Sequence, residues 1–395
     1  MKPPQWFGVM ILTSVLVIVI ASGVSPSPGP PKPDVIKVHG HIGNLKVPLF
    51  NHPEFKRILL ERYGLEYSVE GMATTEMLCP KDPHDLDDVD FLVAGDQSQI
   101  AIYEDCQNRD DPYRNFLLSP MVIYSWADTI DALVREDIAR KDASGAYFID
   151  MPRLLGLLES GKTWKDLGFP HRPSAIKVYP TDPDLSSSGR IFAGLLANTM
   201  NCLNVVQPAT LNMVLPSIFD YYQSVGYLEP SSLQLFNSYL TLGEGARPMV
   251  ALIESQISDY LYDYSQEHTP EEYERELQRI SEHVRMLYPE PTVWTSHPVI
   301  ARTEAGELMM KALLDPDLQQ LGWELTGFRP AVPGVAIDIS KSAVPGIVPE
   351  IDSVIDTPGD AVMAQIKDAT KNDPGPGEPR RVCDETAPVA SPGSP

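Results

Sequence analysis

Two patterns of apolar and polar residues alternate along the chain between about residue 34 and residue 370. Short apolar runs bounded by Gly or Pro predict strands, and longer stretches with apolar residues three or four positions apart predict helices. The predicted strands are 34–40, 65–69, 90–94, 120–124 and 175–179. The predicted helices are 53–63, 189–205, 248–264, 271–287, 303–321 and 358–369. This alternation of strands with helices predicts an α/β fold.

The two ends of the chain depart from this pattern. Lys2 and the uncharged apolar run after it predict that residues 1–24 are a signal peptide or an uncleaved N-terminal membrane anchor. The proline-rich stretch at 25–33 is typical of an extended linker, and residues 372–395, rich in Pro, Gly and Ser, are expected to be a disordered tail. We therefore expect an extracytoplasmic protein, secreted or anchored to the cell membrane by its N-terminal segment.

The chain is strongly acidic, with 54 Asp and Glu against 31 Lys and Arg and a formal net charge of −23. Such a surface repels phosphate backbones and anionic headgroups. We therefore expect no nucleic-acid partner, and contact with the membrane only through the N-terminal segment. A small anionic ligand is still compatible with the sequence, because backbone N–H groups can create a local positive field.

The four cysteines show no spacing typical of a zinc site. Cys79 and Cys106 lie in neighbouring loop-rich stretches, and they are either a disulfide, which an extracytoplasmic location would allow, or two free thiols. Cys202 falls inside a predicted apolar helix and is expected to be a core residue. His39 and His41 are interpreted as loop residues, because no further metal ligands are identifiable beside them.

The segment most informative about function joins a predicted strand to a predicted helix at residues 175–194. Three serines and a glycine open the helix: Ser186, Ser187, Ser188 and Gly189. Free backbone N–H groups and the positive end of the helix dipole lie there beside the hydroxyls, and together they suit an oxyanion or a hydroxyl-rich ligand. Thr181 and Asp182 follow the strand, at the edge where open α/β sheets bind ligands. The alternative is a well-capped helix with no ligand.

Several segments, in order along the chain, resemble one known family. The strand–Thr-Asp-Pro–Ser-Ser-Ser-Gly–helix segment is similar to the second-lobe anion loop of the type 2 periplasmic binding proteins, which include receptors for phosphate, sulfate and molybdate. Further segments resemble the crossovers and helices of that family: 116–126, 158–168, 251–256, 288–299 and 321–329. The resemblance covers residues 35–370 and points to the bacterial extracellular solute-binding branch of the family.

The resemblance implies a two-lobed fold in which two crossover strands, near 120–125 and 292–299, form a hinge. Lobe 1 would contain residues 34–119 and 300–371, and lobe 2 would contain residues 120–299. A small ligand would lie between the lobes, which would close on it.

Position within that fold adds further candidate ligand-binding residues. Gly43 and Asn44 follow the first strand, and Thr74 and Thr75 follow the second. Glu254 is expected on a later helix of lobe 2, where its carboxylate could accept a hydrogen bond. Neither of the first two loops carries a Lys or Arg that must face the cleft, which argues against a strictly anionic ligand.

The function that the resemblance implies is capture of a small solute for an ABC-type importer, with a membrane permease or another envelope protein as partner. A sensory or scaffold module of the cell envelope with the same fold is the alternative. A cell-envelope hydrolase is the third hypothesis, and it would need a distant histidine such as His171 or His297 beside the serines. Because no G-x-S-x-G or H-E-x-x-H motif occurs, we predict no catalytic residues, no metal and no cofactor.

Overall fold

The computed structural model describes residues 35–72, 74–339 and 346–377 together with Cys383. The predicted signal or anchor segment, the predicted linker and most of the predicted tail lie outside the described residues. None of the helices within the described ranges is both long enough and apolar enough to span a membrane.

The strands of the described residues form one mixed sheet. They are β1 Ile36–Gly43, β2 Leu65–Met72, β3 Phe91–Val93, β4 Tyr113–Trp126, β5 Ala139–Lys141, β6 Tyr147–Asp150, β7 Met249–Ile253, β8 Val284–Glu290, β9 Trp294–Ala301 and β10 Arg329–Pro330. Their order across the sheet is β2-β1-β3-β9-β4-β8-β6-β5, and β7 and β10 also pair with β4. Parallel pairs such as β1 with β2 occur beside antiparallel ones, as the predicted α/β class requires.

Strand β4 passes through both halves of the sheet. Its first part, residues 113–120, pairs antiparallel with β9. Its second part, residues 121–126, pairs antiparallel with β7 and β8. Strands β8 and β9 then carry the chain back beside it. This paired crossing, together with the mixed sheet, confirms the predicted two-lobed α/β fold class with crossover strands as a hinge.

The topology also suggests how the strands divide between the lobes. We propose that lobe 1 holds β1, β2, β3, β9 and the first part of β4, and that lobe 2 holds β5, β6, β7, β8 and the second part. The boundary on β4 then falls between Pro120 and Met121, where its pairing changes from β9 to β7.

The helices cover most of the remaining described residues. They are α1 Val47–Asn51, α2 Pro53–Tyr63, α3 Thr74–Leu78, α4 Ile100–Gln107, α5 Ala127–Arg135, α6 Met151–Glu159, α7 Ser187–Met200, α8 Leu211–Val225, α9 Ser232–Leu242, α10 Gln256–Glu267, α11 Pro270–His283, α12 Glu304–Ala312, α13 Pro316–Thr326 and α14 Asp360–Ala369. Helix α2 matches its predicted bounds, because Pro53 suits a first helical position and Gly64, at φ 65°, ends the helix in the left-handed region.

Two predicted elements are wrong in type. Residues 175–179 form isolated bridges and no strand; Tyr179 bridges to Val250, and Pro180, which lacks an N–H, cannot continue a ladder. Residues 248–264 are not one helix, because β7 occupies the first part and α10 begins only at Gln256. All five residues of β7 are buried, and a continuous apolar run of that length also fits a buried strand.

Three predicted helices are too long. Helix α7 ends at Met200, and α11 ends at His283, where the apolar residues of β8 take over. The predicted helix 303–321 is split at residues 313–315 into α12 and α13, because Asp315 caps a new helix that begins with Pro316.

We propose that the C-terminal part of the range predicted for lobe 1 belongs to lobe 2. Helix α14 packs on α7 and α8, and the side chain of Lys371 forms ion pairs with Asp182 and Asp184 at 3.0 and 2.6 Å. Asn198 of α7 donates to the carbonyl of Asp356. We call residues 356–371 the C-terminal strap.

The described cysteines form two disulfides, Cys79–Cys106 and Cys202–Cys383. The sequence left open whether Cys79 and Cys106 form a disulfide or are two free thiols, and the structure has the disulfide. The expectation that Cys202 is a core thiol is wrong, because this residue lies just after α7 in a turn with φ 57° and bonds to Cys383. Cys383, which falls in the predicted disordered tail, is therefore bonded covalently to the turn after α7.

A buried charge network lies beside β4. The Nε and Nη2 atoms of Arg329 donate to the carboxylate of Glu254 at 2.6 and 2.7 Å, and Tyr288 Oη donates to it at 2.5 Å. Arg329 lies in β10, Tyr288 lies in β8, and Glu254 follows β7. Because all three strands pair with β4, this network fixes their positions around the crossing.

We predict that Glu254→Ala lowers the free energy of unfolding by ~3–5 kcal/mol, because it leaves Arg329 as an unpaired buried charge. The double variant Glu254→Ala/Arg329→Met should lose less stability than Glu254→Ala alone, since neither charge then remains. Denaturant unfolding of both variants measures the difference. A double variant less stable than the single one would show that the ion pair does not dominate the loss.

Candidate functional site

A cleft of about 580 Å³ opens between the two lobes. Lobe 1 lines it with residues 43–48 after β1, with Gln99 after β3, and with Thr295 and His297 of β9. Lobe 2 lines it with the first turns of α7 and α9 and with one face of α10. Strand ends and helix starts thus converge on one concave surface, as in the ligand sites of open α/β folds.

Five serines at the starts of α7 and α9 form one corner of the cleft, the serine corner: Ser186, Ser187, Ser188, Ser231 and Ser232. Ser188 Oγ lies 3.0 Å from Ser186 Oγ and 2.8 Å from Ser232 Oγ. Two helices begin here, so their unpaired N–H groups and the positive ends of their dipoles lie together. The corner therefore suits an anionic or hydroxyl-bearing group.

The loop before α7 supports the serine corner from behind. Thr181 is fully buried, and its Oγ1 lies 3.0 Å from Ser188 Oγ. A Cβ atom at Gly189 would lie only 2.3 Å from the carbonyl oxygen of Thr181, so a larger residue would push the loop and the helix apart. Thr181 and Gly189 hold the serine corner in place and do not themselves line the cleft.

Side chains from the two lobes touch across the cleft. Gln99 Nε2 donates to Ser187 Oγ at 3.2 Å, and Arg190 Nη1 donates to Ser98 Oγ at 3.5 Å. The other end of the Gln99 amide is fixed, because its Oε1 accepts from the backbone N–H groups of Gly95 and Asp96 at 3.2 Å each. The described arrangement therefore has the lobes in polar contact at the serine corner.

Lys46 is the buried cation of the cleft. Only 2% of its surface is exposed, its Nζ lies 5.5 Å from the centroid of the Phe328 ring, and it has no hydrogen-bond acceptor among the described residues. Burial lowers the pKa of Lys46 to about 7, against the partial compensation of Asp96 and Asp259. An ammonium in this position gains strongly from an added acceptor.

Two carboxyl groups on α10 face the same cleft. Asp259 and Asp263 are one helical turn apart, and like charges at that spacing repel each other. Burial raises the pKa of Asp259 to about 7, and the neighbouring charge of Asp263 adds to the increase. Burial and Glu267 also raise the pKa of Asp263. Lys46, from the opposite lobe, is close enough to lower the pKa of Asp259 in part.

The floor of the cleft carries buried polar atoms without partners. Thr295 and His297 are 2% and 1% exposed. The hydroxyl of Thr295 and both ring nitrogens of His297 make no well-formed hydrogen bond among the described residues, and the backbone of Ala94 lies beside the imidazole. Burial lowers the pKa of His297 well below its usual value, so the imidazole is neutral at physiological pH. Because buried polar groups are nearly always paired, these atoms are available to a bound molecule.

Comparison with known proteins finds likeness in structure. No protein-family model matches the chain, and no curated protein matches it in sequence. A Trichodesmium protein solved with iron and citrate superposes with a TM-score of 0.53 at 11% identity, over 85% of this chain and 97% of that one. An ABC transporter protein from Clostridium perfringens superposes with a TM-score of 0.52 at 11% identity, over 84% of this chain and 98% of that one. A periplasmic thiamin-binding protein superposes with a TM-score of 0.51 at 9% identity, over 86% of this chain and 97% of that one. The chain has the fold of the type 2 periplasmic binding proteins.

Five of the predicted ligand residues line the cleft of this periplasmic-binding fold: Gly43, Asn44, Ser186, Ser187 and Ser188. Among the others, Thr181 and Gly189 lie behind the serine corner. Asp182 is turned away, with its carboxylate paired to Lys371 of the C-terminal strap. The side chains of Thr74 and Thr75, at the start of α3, lie outside what the structure describes.

Two expectations about charged groups need correction. Glu254 does not lie on a helix, because it directly follows strand β7. It does not line the cleft, and its carboxylate is bound instead by Arg329 and Tyr288. The expectation against a strictly anionic ligand rests only on the first two loops, which carry no Lys or Arg, and it misses Lys46, which lies two residues beyond Asn44 and lines the cleft.

Sequence reasoning missed several residues of the site. The pair Ser231 and Ser232 follows Pro230 and precedes an apolar helix, so it carries the same signal as the serines of α7 and could have been found. Lys46, Asp259 and His297 carry no such signal, because nothing in their local sequence shows that the fold buries them at one cleft. Within the described ranges, no group of three His, Cys, Asp or Glu side chains could hold a metal ion.

We predict opposite pH dependences for two stabilising variants of the cleft. Between pH 3.8 and about 7 the folded state keeps a proton on Asp259 that the unfolded chain has lost, so this group makes stability fall as pH rises. Asp259→Asn should therefore stabilise the protein by ~1–3 kcal/mol above pH 7, and the gain should vanish below pH 4.

Lys46→Met should behave in the opposite way. Between about pH 7 and 10.5 the unfolded chain keeps a proton on Lys46 that the folded state has lost, so stability rises with pH. The gain from Lys46→Met should be largest at pH 7 and below, and it should shrink toward pH 10. Unfolding curves from pH 4 to 10 measure both effects, with Lys56→Met and Asp110→Asn, which are exposed, as controls. Gains that stay constant over this range would contradict the burial of these charges.

Proposed function

We propose that this protein is an extracytoplasmic solute-binding protein, which captures a small molecule between its two lobes and delivers it to an ABC-type importer. The observation that carries the proposal is the cleft itself. Among the described residues, the buried hydroxyl of Thr295 and the ring nitrogens of His297 make no well-formed hydrogen bond there, and the buried side chain of Lys46 lines the same cleft. These groups face two helix starts that supply serine hydroxyls.

The energetics of the cleft favour a ligand. An unpaired polar group in the interior costs roughly 1–3 kcal/mol, and an unpaired charge costs more. Elsewhere the same chain pairs its buried charges, as the bidentate contact between Arg329 and Glu254 shows. A bound molecule that supplied partners for the cleft atoms would recover this cost as binding energy.

The connection between the lobes favours capture by closure. The lobes are joined through β4 and the returning strands β8 and β9, which is the arrangement expected of a hinge. The contact from Gln99 to Ser187 joins the rims of the cleft across its opening. Closure of this kind would bury a ligand between the floor on β9 and the serine corner.

The location and the partner are supported by several independent features. The apolar N-terminal run is typical of an export signal or anchor. Two disulfides favour an oxidising compartment. The solved structures with the same fold include a periplasmic thiamin-binding protein and an ABC transporter protein. A permease in the membrane is the corresponding partner.

The structure gives little support to the hydrolase hypothesis. Among the described residues, the hydroxyls of the serine corner bond to one another and to Gln99, and His297 has no hydrogen bond to any of them. A serine nucleophile needs a base within hydrogen-bonding distance.

We predict that a screen of oxyanions, sugars, amino acids and related solutes will find a compound that raises the melting temperature, because a ligand that binds only the folded state stabilises it by mass action. Ser187→Asp should abolish this shift, since it places a carboxylate among the donors of the serine corner. Differential scanning fluorimetry gives the measurement.

Thr269→Asp is the matched control, because it puts the same carboxylate at the exposed start of α11, away from the cleft. It should leave the ligand-induced shift unchanged. A shift that survives in Ser187→Asp would place the ligand elsewhere, and the absence of any stabilising compound would overturn the proposed function. Uptake of the stabilising compound by cells that lack the protein would favour a sensory role over transport.

A further inference from the structure

We infer that the solute is an organic zwitterion with an apolar body, whose anionic group binds at the serine corner and whose cationic amine binds between Asp259 and Asp263. The inference rests on the proposed function and narrows the chemical class of its ligand.

The charges of the cleft lining are balanced. Two basic side chains, Lys46 and Arg190, line it together with two acidic ones, Asp259 and Asp263. A simple anion would leave the two carboxylates on α10 facing it without a partner. A simple cation would face Lys46 and the positive ends of two helix dipoles. A molecule that carries both charges avoids either conflict.

The acidic pair has unused capacity to accept hydrogen bonds. Among the described residues, neither Asp259 nor Asp263 has a basic group within salt-bridge distance, and the bond to Asp259 is a single one from Gln256 Nε2 at 3.3 Å. Two carboxylates one turn apart repel each other when nothing lies between them. An ammonium group, with three donors, would satisfy both and remove the repulsion.

A second observation points to a ligand independently of the acidic pair. Thr295 and His297 are each more than nine-tenths buried and line the same cleft, and the Thr295 hydroxyl and the His297 ring nitrogens make no well-formed hydrogen bond among the described residues. The buried side chain of Lys46 lines the cleft beside them. Lys46 supplies a donor charge and Thr295 a hydroxyl, so the lobe 1 side can complete the shell of an anionic group. The neutral imidazole of His297 can donate or accept.

The size and the apolar lining exclude a bare inorganic ion as the natural fit. The cleft of about 580 Å³ lies in the range that accommodates organic ligands, roughly 300–1,000 Å³. Its lining includes five apolar side chains: Leu45, Val47, Met72, Leu233 and Ile253. Such side chains suit the hydrocarbon part of an organic ligand.

Matched sets of compounds test the inference directly. One set shares an indole body: tryptophan carries both charges, indole-3-propionate carries only the negative charge, and tryptamine carries only the positive charge. Leucine, 4-methylpentanoate and 3-methylbutylamine form a second set. Thermal-shift titrations of the full-length protein should show binding of the zwitterion of at least one set at about tenfold or more lower concentration than either of its singly charged relatives.

The double variant Asp259→Asn/Asp263→Asn should weaken binding of the zwitterion about tenfold or more, while binding of the matched anion stays the same or becomes tighter. Asp110→Asn is the exposed control and should change neither. The inference is overturned if the zwitterion binds no better than the anion, if the acid variant leaves its binding unchanged, or if no member of either set binds.

Failure of the inference and failure of the proposed function give different results. If a pure anion or a sugar from the wider screen stabilises the protein and Ser187→Asp abolishes the effect, the inference of a zwitterionic ligand is overturned and the proposed solute-binding function stands. If no compound of the wider screen stabilises the protein, both fall together.

Discussion

One strand constrains everything that the cleft can do, because β4 is hydrogen-bonded to both halves of the sheet. Its residues 119–126 are all buried, and its partners change from β9 to β7 and β8 along its length. The floor of the cleft is built on the same ladder, since Thr295 pairs with Ser119 and His297 with Leu117. The floor is therefore held rigidly at the crossing, while the walls come from loops and helix starts that belong to one lobe or the other.

Buried charges occur in two different settings in this protein. Beside β4, Glu254 and Arg329 neutralise each other in a bidentate pair, and Tyr288 and backbone carbonyls complete the network. In the cleft, Lys46 and Asp259 lie on opposite lobes without a salt bridge, and burial moves the pKa of each to about 7. Perturbed and unpaired groups concentrate where a protein binds or reacts, because selection for stability alone would pair or remove them. The contrast between the two settings is therefore the strongest physical indication that the cleft is a binding site.

The alternation of strands and helices was enough to predict the α/β class and the serine start of α7, and the family resemblance implied the two lobes and the crossing near residues 120–125. Local pattern failed where a short apolar run fits either a strand or a helix, as at residues 249–253. It also failed where a site depends on distant residues. Ser188 meets Ser232 from 44 positions away, and Cys202 meets Cys383 from 181 positions away. The local sequence does not indicate such long-range contacts. The burial of Lys46 depends in the same way on how the two lobes pack.

The C-terminal strap explains how an acidic chain can present a positive corner. Asp182 and Asp184 lie within a few residues of the serine corner, and two free carboxylates there would oppose the helix dipoles and repel an anionic group. Lys371 pairs with both carboxylates, and Lys367 pairs with Asp184 at 3.1 Å. Asp182 thus contributes to the site by binding the strap and not the ligand. The strap also packs on the body of α7, where Met363 lies beside Gly194 and Asn198 binds the carbonyl of Asp356, so it joins the loop before α7 to the helix that follows.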